Sequence, residues 1–127
     1  MVLVLLAGCD KDKDKFKATN VEYSGCVEKP KDLKTTVTYY QNTLSITHDY
    51  LPVDCNFEGV LITPSIDEEN RVIEIDVDPI VVHPDLEGCE CEINVSYDFE
   101  NFYPKNAIYT IIIREINQEI YRGEEAL

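Results

Sequence analysis

Five cysteines and two histidines carry the most specific chemistry in this 127-residue chain. Cys26, Cys55, Cys89 and Cys91 form one group. In an oxidising compartment four thiols read as two disulfides, with three connectivities open. In a reducing one they read as a metal site, and His48 with Cys55, Cys89 and Cys91 makes a tetrahedral set of the kind zinc accepts. Cys9 stands apart. It follows the apolar run Met1 to Leu6 and two small residues, Ala7 and Gly8, and it precedes Asp10-Lys11-Asp12-Lys13-Asp14-Lys15. A signal peptidase needs small side chains just before its cut, and the cysteine offers a thiol that a lipid-modifying enzyme can alkylate.

Leu6-Ala7-Gly8-Cys9 resembles the lipobox of bacterial lipoproteins, in which signal peptidase II cuts before the cysteine and the cysteine carries the lipid. The resemblance implies a mature chain from Cys9 to Leu127, held stably at the membrane because two or three acyl chains anchor where one does not. It also implies a place in the bacterial cell envelope, at the outer membrane, on its periplasmic or surface side. No Lys or Arg precedes the apolar run, so a complete signal peptide is expected to begin upstream of Met1. The run itself is too short to cross a bilayer as a helix, which needs roughly 20 residues. Residues 1–8 are therefore read as the remnant of a signal peptide. Residues 9–18 are read as the lipidated cysteine with a charged tether, and 19–127 as the folded domain. The tether reaches roughly 30 Å at about 3.3 Å per residue.

If Cys9 is lipidated the compartment is oxidising, and the other four cysteines are expected in two disulfides rather than round a metal. The same size and composition allow one domain with a real core. Apolar and aromatic residues make up 44% of the chain, too many for a disordered segment. Lys and Arg total 11 against 25 Asp and Glu, a formal charge of −14. Such a surface repels phosphate, which argues against a nucleic-acid partner.

The elements that must position these side chains are strands. Hydrophobic periodicity is two almost everywhere, and no window of a dozen residues holds a helical stripe. Val21, Tyr23 and Val27 read as a first strand. Thr35 to Tyr40 is β-branched and aromatic, Gln41-Asn42 reads as a turn, and Leu44, Ile46, His48 and Tyr50 share a face of the next strand, which Pro52 is expected to end. Val60 to Ile66 and Val72 to Val77 flank Asp67-Glu68-Glu69-Asn70 as a hairpin. Pro79 to Gly88 reads as a connection. Cys91 to Phe99 alternates without error, with Cys89, Cys91, Ile93, Val95, Tyr97 and Phe99 on one face, which points both thiols at the core. Two thiols so placed are poorly set to bridge each other, so each is expected to pair with one of Cys26 and Cys55. After a loop over 101–106, Ala107 to Ile113 is apolar on both faces, as a central strand would be, and Asn117-Gln118 turns into Glu119 to Arg122. Seven or eight short strands without helices predict an all-β fold, an antiparallel β-sandwich of immunoglobulin-like architecture.

Ile46-Thr47-His48, Asp54-Cys55-Asn56, Gly88-Cys89-Glu90-Cys91, the alternating strand and Tyr109 leading an Ile-rich strand together resemble a family of small Bacteroidetes-type lipoproteins of unassigned function, over about residues 43–114. That resemblance implies a β-sandwich and an exported site, and it supplies no catalytic residues.

The remaining constellations point away from catalysis. Two histidines, His48 and His83, and no Gly-x-Ser-x-Gly elbow give nucleophilic chemistry little to work with. Asp67-Glu68-Glu69 and Asp76-Val77-Asp78 could offer carboxylates to calcium, but neither carries the twelve-residue loop pattern with its central glycine. Phe102 and Tyr103, beside Pro104, are candidate partner contacts because loop aromatics serve binding surfaces, although a loop aromatic more commonly plugs one end of a sandwich. The expected protein is a non-enzymatic, lipid-anchored module with a binding or envelope-assembly role. It requires no cofactor, reaches the membrane through its N-terminal lipid and has a protein or glycan partner. A zinc-binding exported domain built on His48 and the cysteines is the alternative, and a secreted hydrolase or its accessory module comes third.

Overall fold

The structure is a computed structural model and describes residues 16–104 and 106–127. Cys9, the lipobox and the alternating Asp-Lys run lie outside the described residues. Eight strands follow in order: β1 Thr19–Tyr23, β2 Lys34–Tyr40, β3 Thr43–Asp54, β4 Gly59–Asp67, β5 Val72–Ile80, β6 Glu90–Phe99, β7 Ile108–Glu115 and β8 Gln118–Ala126. They form two four-stranded sheets, β1-β6-β3-β2 and β4-β5-β7-β8, packed as a sandwich with no helix among the described residues. Five of the pairings are antiparallel. β5 and β7 run parallel, from Val72 opposite Thr110 to Asp76 opposite Arg114, so the expectation of a purely antiparallel sandwich is corrected there. The connection between them is long because it first crosses to the other sheet to build β6.

Alternation decides which side chains meet between the sheets. Leu44, Ile46, Ile93, Val95, Tyr97 and Phe99 face Ile73, Ile75, Val77, Tyr109, Ile111 and Ile113 in one buried cluster. Burying each of these stabilises the fold by roughly 1.5–3 kcal/mol before entropy is counted. Two-residue turns set the register of two hairpins. Gln41-Asn42 and Ile116-Asn117 both hold positive φ at both positions, the backbone twist that matches paired strands.

β3 corrects the sequence reading. Its pairing with β6 shifts between His48 and Leu51, where Tyr50 adopts φ +64° and donates its N–H to Asn94 Oδ1. This bulge adds one residue and reverses the alternation. Tyr50 leaves the inner face, Leu51 and Val53 take it over, and the strand runs through Pro52 to Asp54. Pro52 is tolerated because β2 stops pairing at Asp49, so that side of β3 needs no further donor. Pro79 sits in β5 for the same reason, beyond the last residue paired with β7. β1 ends at Tyr23, and Val27 lies in the connection after it. β8 is longer than expected and continues to Ala126.

The chain joins the sandwich at the end that holds the Gln41-Asn42 turn. Phe16 stacks on Phe99 at 4.8 Å between ring centroids and tilts against Phe102 at 5.4 Å. Phe16 therefore belongs to the fold, although its charged neighbours place it in the tether.

Candidate functional site at the disulfide-bonded end

All four remaining cysteines gather at the opposite end. Cys91 lies on β6 across from Val53, and Cys26 comes to it on the connection after β1. Backbone bonds from Ser24 N to Asn94 O and from Val27 N to Glu92 O lay that connection along β6. Cys55 follows β3 directly, and its N–H donates to the carbonyl of Cys89. The bridges are Cys26–Cys91 and Cys55–Cys89, with Cα separations of 5.6 and 5.5 Å. Each of Cys89 and Cys91 thus joins a different partner. Only Cys91 packs against the core. Cys89 precedes β6 and is exposed, which corrects the placing of both thiols on the inner face. With loops spanning 65 and 34 residues, the two links contribute about 4 kcal/mol each on the loop-entropy account.

The loop over 81–89 is held by polar side chains. The Asp54 carboxylate accepts from the N–H groups of Asn56 and Asp85, and Asp85 in turn accepts from the N–H of Glu87. Asn56 Nδ2 donates to the carbonyl of His83, whose side chain stays exposed.

Between this loop and the β7–β8 turn lies a recess of about 570 Å³, lined by Asp54, Cys89, Glu90, Glu115 and Ile116 among others. Glu115 is its unusual member. Its Oε2 is shielded from solvent and has no hydrogen-bond partner among the described residues. Burial, and then the charges of Asp78 and Glu90, push the carboxyl up to about 7. The group therefore exchanges its proton near neutrality, a property concentrated at functional sites. Beside it the β-branched Ile116 takes φ +49°, a conformation that L side chains adopt at a cost, while 69% of its surface stays exposed. Its N–H donates to Asp78 Oδ1, which holds the turn over the recess. Sequence reasoning missed both residues. Only the unusual Arg-Glu-Ile-Asn turn could have pointed to them.

His48 is elsewhere. It is fully buried in the core, with Thr35 Oγ1 2.8 Å from Nδ1 and the Tyr97 hydroxyl 2.8 Å from Nε2. Burial lowers its pKa to about 4 and raises that of Tyr97, so the trio is neutral. The zinc set of His48, Cys55, Cys89 and Cys91 is not assembled, because both ring nitrogens are already taken by hydroxyls. The acidic runs are engaged as well. Asp67 accepts from the N–H and the amide of Asn70, which hold its pKa down, and Glu68 accepts from the Tyr109 hydroxyl.

Phe102 does not reach solvent. It is 6% exposed and plugs the far end of the sandwich, edge-on to Tyr39 and Tyr109. Of the two loop aromatics, Tyr103 alone is on the surface.

No family model, curated protein or solved structure matches the chain. The paired bridges remain the informative chemistry, since disulfides of this kind form and persist outside the cytoplasm. This is an extracytoplasmic β-sandwich, stapled at one end by two disulfides.

Proposed function

We propose that the chain is a bacterial envelope lipoprotein, lipidated at Cys9, that uses its disulfide-bonded end to bind a partner protein. The observation that carries this reading is the opposition of the two ends. The chain joins the sandwich through Phe16 at one end, and Ile80, Val82, Leu86 and Ile116 are exposed at the other. From Cys9 to Phe16 the chain can reach at most about 23 Å, at roughly 3.3 Å per residue. A membrane anchor at Cys9 keeps the plugged end, with Tyr40, Tyr103 and Ile108, near the lipid and points the disulfide end away from it. Exposed aliphatic side chains on held loops suit an apolar protein surface better than the hydroxyls of a glycan. The formal charge of −14 favours a basic rim on that partner. Binding rather than catalysis is the reading because the recess brings together carboxylates without a histidine, and its one cysteine, Cys89, is held in a disulfide.

In cells expressing the full precursor, with a charged n-region supplied upstream, radioactive palmitate labels the wild type and not Cys9→Ser. A photoreactive amino acid at Leu86 then forms a discrete protein adduct, while the same group at Thr38 does not. Labelling that survives loss of Cys9 overturns the anchor. Adducts absent at Leu86, or equal at the two positions, overturn the binding end.

A further inference from the structure

The two bridges are not independent. The sulfurs of Cys26, Cys55 and Cys91 all lie within 4.8 Å of one another, and the fourth, Cys89, is bonded to Cys55. Each bridge has one exposed half, Cys26 or Cys89, and one half-buried half, Cys91 or Cys55. An external thiol can attack only the sulfur it can reach, and the sulfur it displaces is then the inner one. Attack on Cys89 leaves Cys55 as a thiolate next to the Cys26–Cys91 bridge. Here the geometry presents a second disulfide to the first thiolate released.

We propose that the pair forms a thiol–disulfide exchange site, which accepts an electron pair from an external dithiol at one bridge and passes it to the other within the folded domain. The thiolate of the donor attacks Cys89 Sγ, the Cys55–Cys89 bond breaks, and Cys55 leaves with the electron pair. The donor's second thiol displaces Cys89 from the mixed disulfide, so the donor ends oxidised and Cys89 ends as a thiol. Cys55 thiolate then attacks Cys91, forming Cys55–Cys91 and releasing Cys26 with the electron pair, to be protonated by water. Two electrons and two protons have entered, one disulfide remains, and the reducing equivalents now sit at Cys26 and Cys89, the two exposed positions. From there they are accessible to a second disulfide substrate. Glu90, between Cys89 and Cys91, and the nearby Asp54 and Glu87 make the approach acidic, which favours a donor whose dithiol lies in a basic setting.

The test needs no knowledge of the natural donor. In Cys89→Ser the Cys55 thiol is free from the start, and a glutamate-specific protease cutting after Glu90 separates position 89 from Cys91 for mapping. Purified variant, kept at pH 8 and quenched with an alkylating agent, is expected to convert to a mixture in which Cys55 is joined to Cys91 or to Cys26. The conversion should be first order and independent of protein concentration, with the far-ultraviolet circular dichroism unchanged. Persistence of Cys26–Cys91 with Cys55 fully alkylated overturns the proposal, and so does a rate that rises with protein concentration. Should the variant fail to fold, wild-type protein with one equivalent of dithiothreitol serves instead. A two-thiol intermediate alkylated at Cys26 and Cys89 supports the exchange, and one alkylated only at Cys55 and Cys89 or only at Cys26 and Cys91 overturns it.

Discussion

The two ends of this sandwich are closed by different physics. At one end Phe16, Phe99, Phe102, Tyr39 and Tyr109 pack ring against ring, and the seal is apolar burial. At the other end two covalent links do the closing, and acidic side chains remain around a recess with Glu115 half inside. A ring plug excludes water and needs every ring in place. A disulfide staple fixes chain segments without filling the space between them, so it tolerates a polar opening that a packed plug would not. That difference explains why the unusual groups, a carboxyl titrating near neutrality and an isoleucine at positive φ, sit at the stapled end.

The comparison breaks most visibly at the plug. Phe102→Ala removes a ring that is 6% exposed and touches three others, and it should cost about 3–5 kcal/mol, measured by urea unfolding. Tyr103→Ala next to it, with the side chain 67% exposed, should change stability by less than about 0.5 kcal/mol. Equal effects from the two would mean that the plug is not what closes this end.

His48 separates core from surface by its pH response. Its pKa is about 4 in the fold against 6.5 in the unfolded chain, so the unfolded state binds more protons between those values. Its contribution is complete above pH 6.5 and is lost as the pH falls towards 4, a change of about 3 kcal/mol. Comparing wild type with His48→Gln at pH 7 and pH 4 cancels the carboxylates common to both. The wild type should lose that much more than the variant on acidification, and parallel profiles would show that the imidazole reaches water.

Glu115 should show the opposite sign on a smaller scale. Its folded pKa of about 7 lies above the ordinary 4.5, so the folded state holds the proton more tightly between those values. The destabilisation is full above pH 7 and disappears as the pH falls through 4.5. Glu115→Gln should therefore be more stable than the wild type at pH 8, by about 1 kcal/mol once water around this half-exposed carboxyl is allowed for. The gap should close towards pH 4.5. A variant less stable than the wild type at pH 8 would mean that the carboxylate has a favourable partner.

Local pattern made much of the fold legible. β6 declares itself by unbroken alternation, and Gln41-Asn42 by its residue types, because both depend on neighbours in sequence. Pro52 and Pro79 misled for a physical reason: whether a proline breaks a strand depends on whether the strand has a partner on the N–H side, and that is decided by distant chain. Phe16 was hidden by the charges around it, whereas a loop aromatic plugging one end is the commoner expectation for Phe102-Tyr103 and holds for Phe102. The candidate site was legible only as cysteines. The raised pKa of Glu115 arises from Asp78 and Glu90, on two other strands, and no sequence window contains that environment.

The contrast between a packed end and a stapled end rests on which cysteines are joined. Non-reduced, unfolded mature protein, alkylated and cut by a glutamate-specific protease so that Cys89 and Cys91 fall in separate peptides, tests it directly by mass spectrometry. The expected map joins Cys26 to Cys91 and Cys55 to Cys89, with none of these four carrying the alkyl label. Label on two or more of them, or a link between Cys89 and Cys91, would contradict the account.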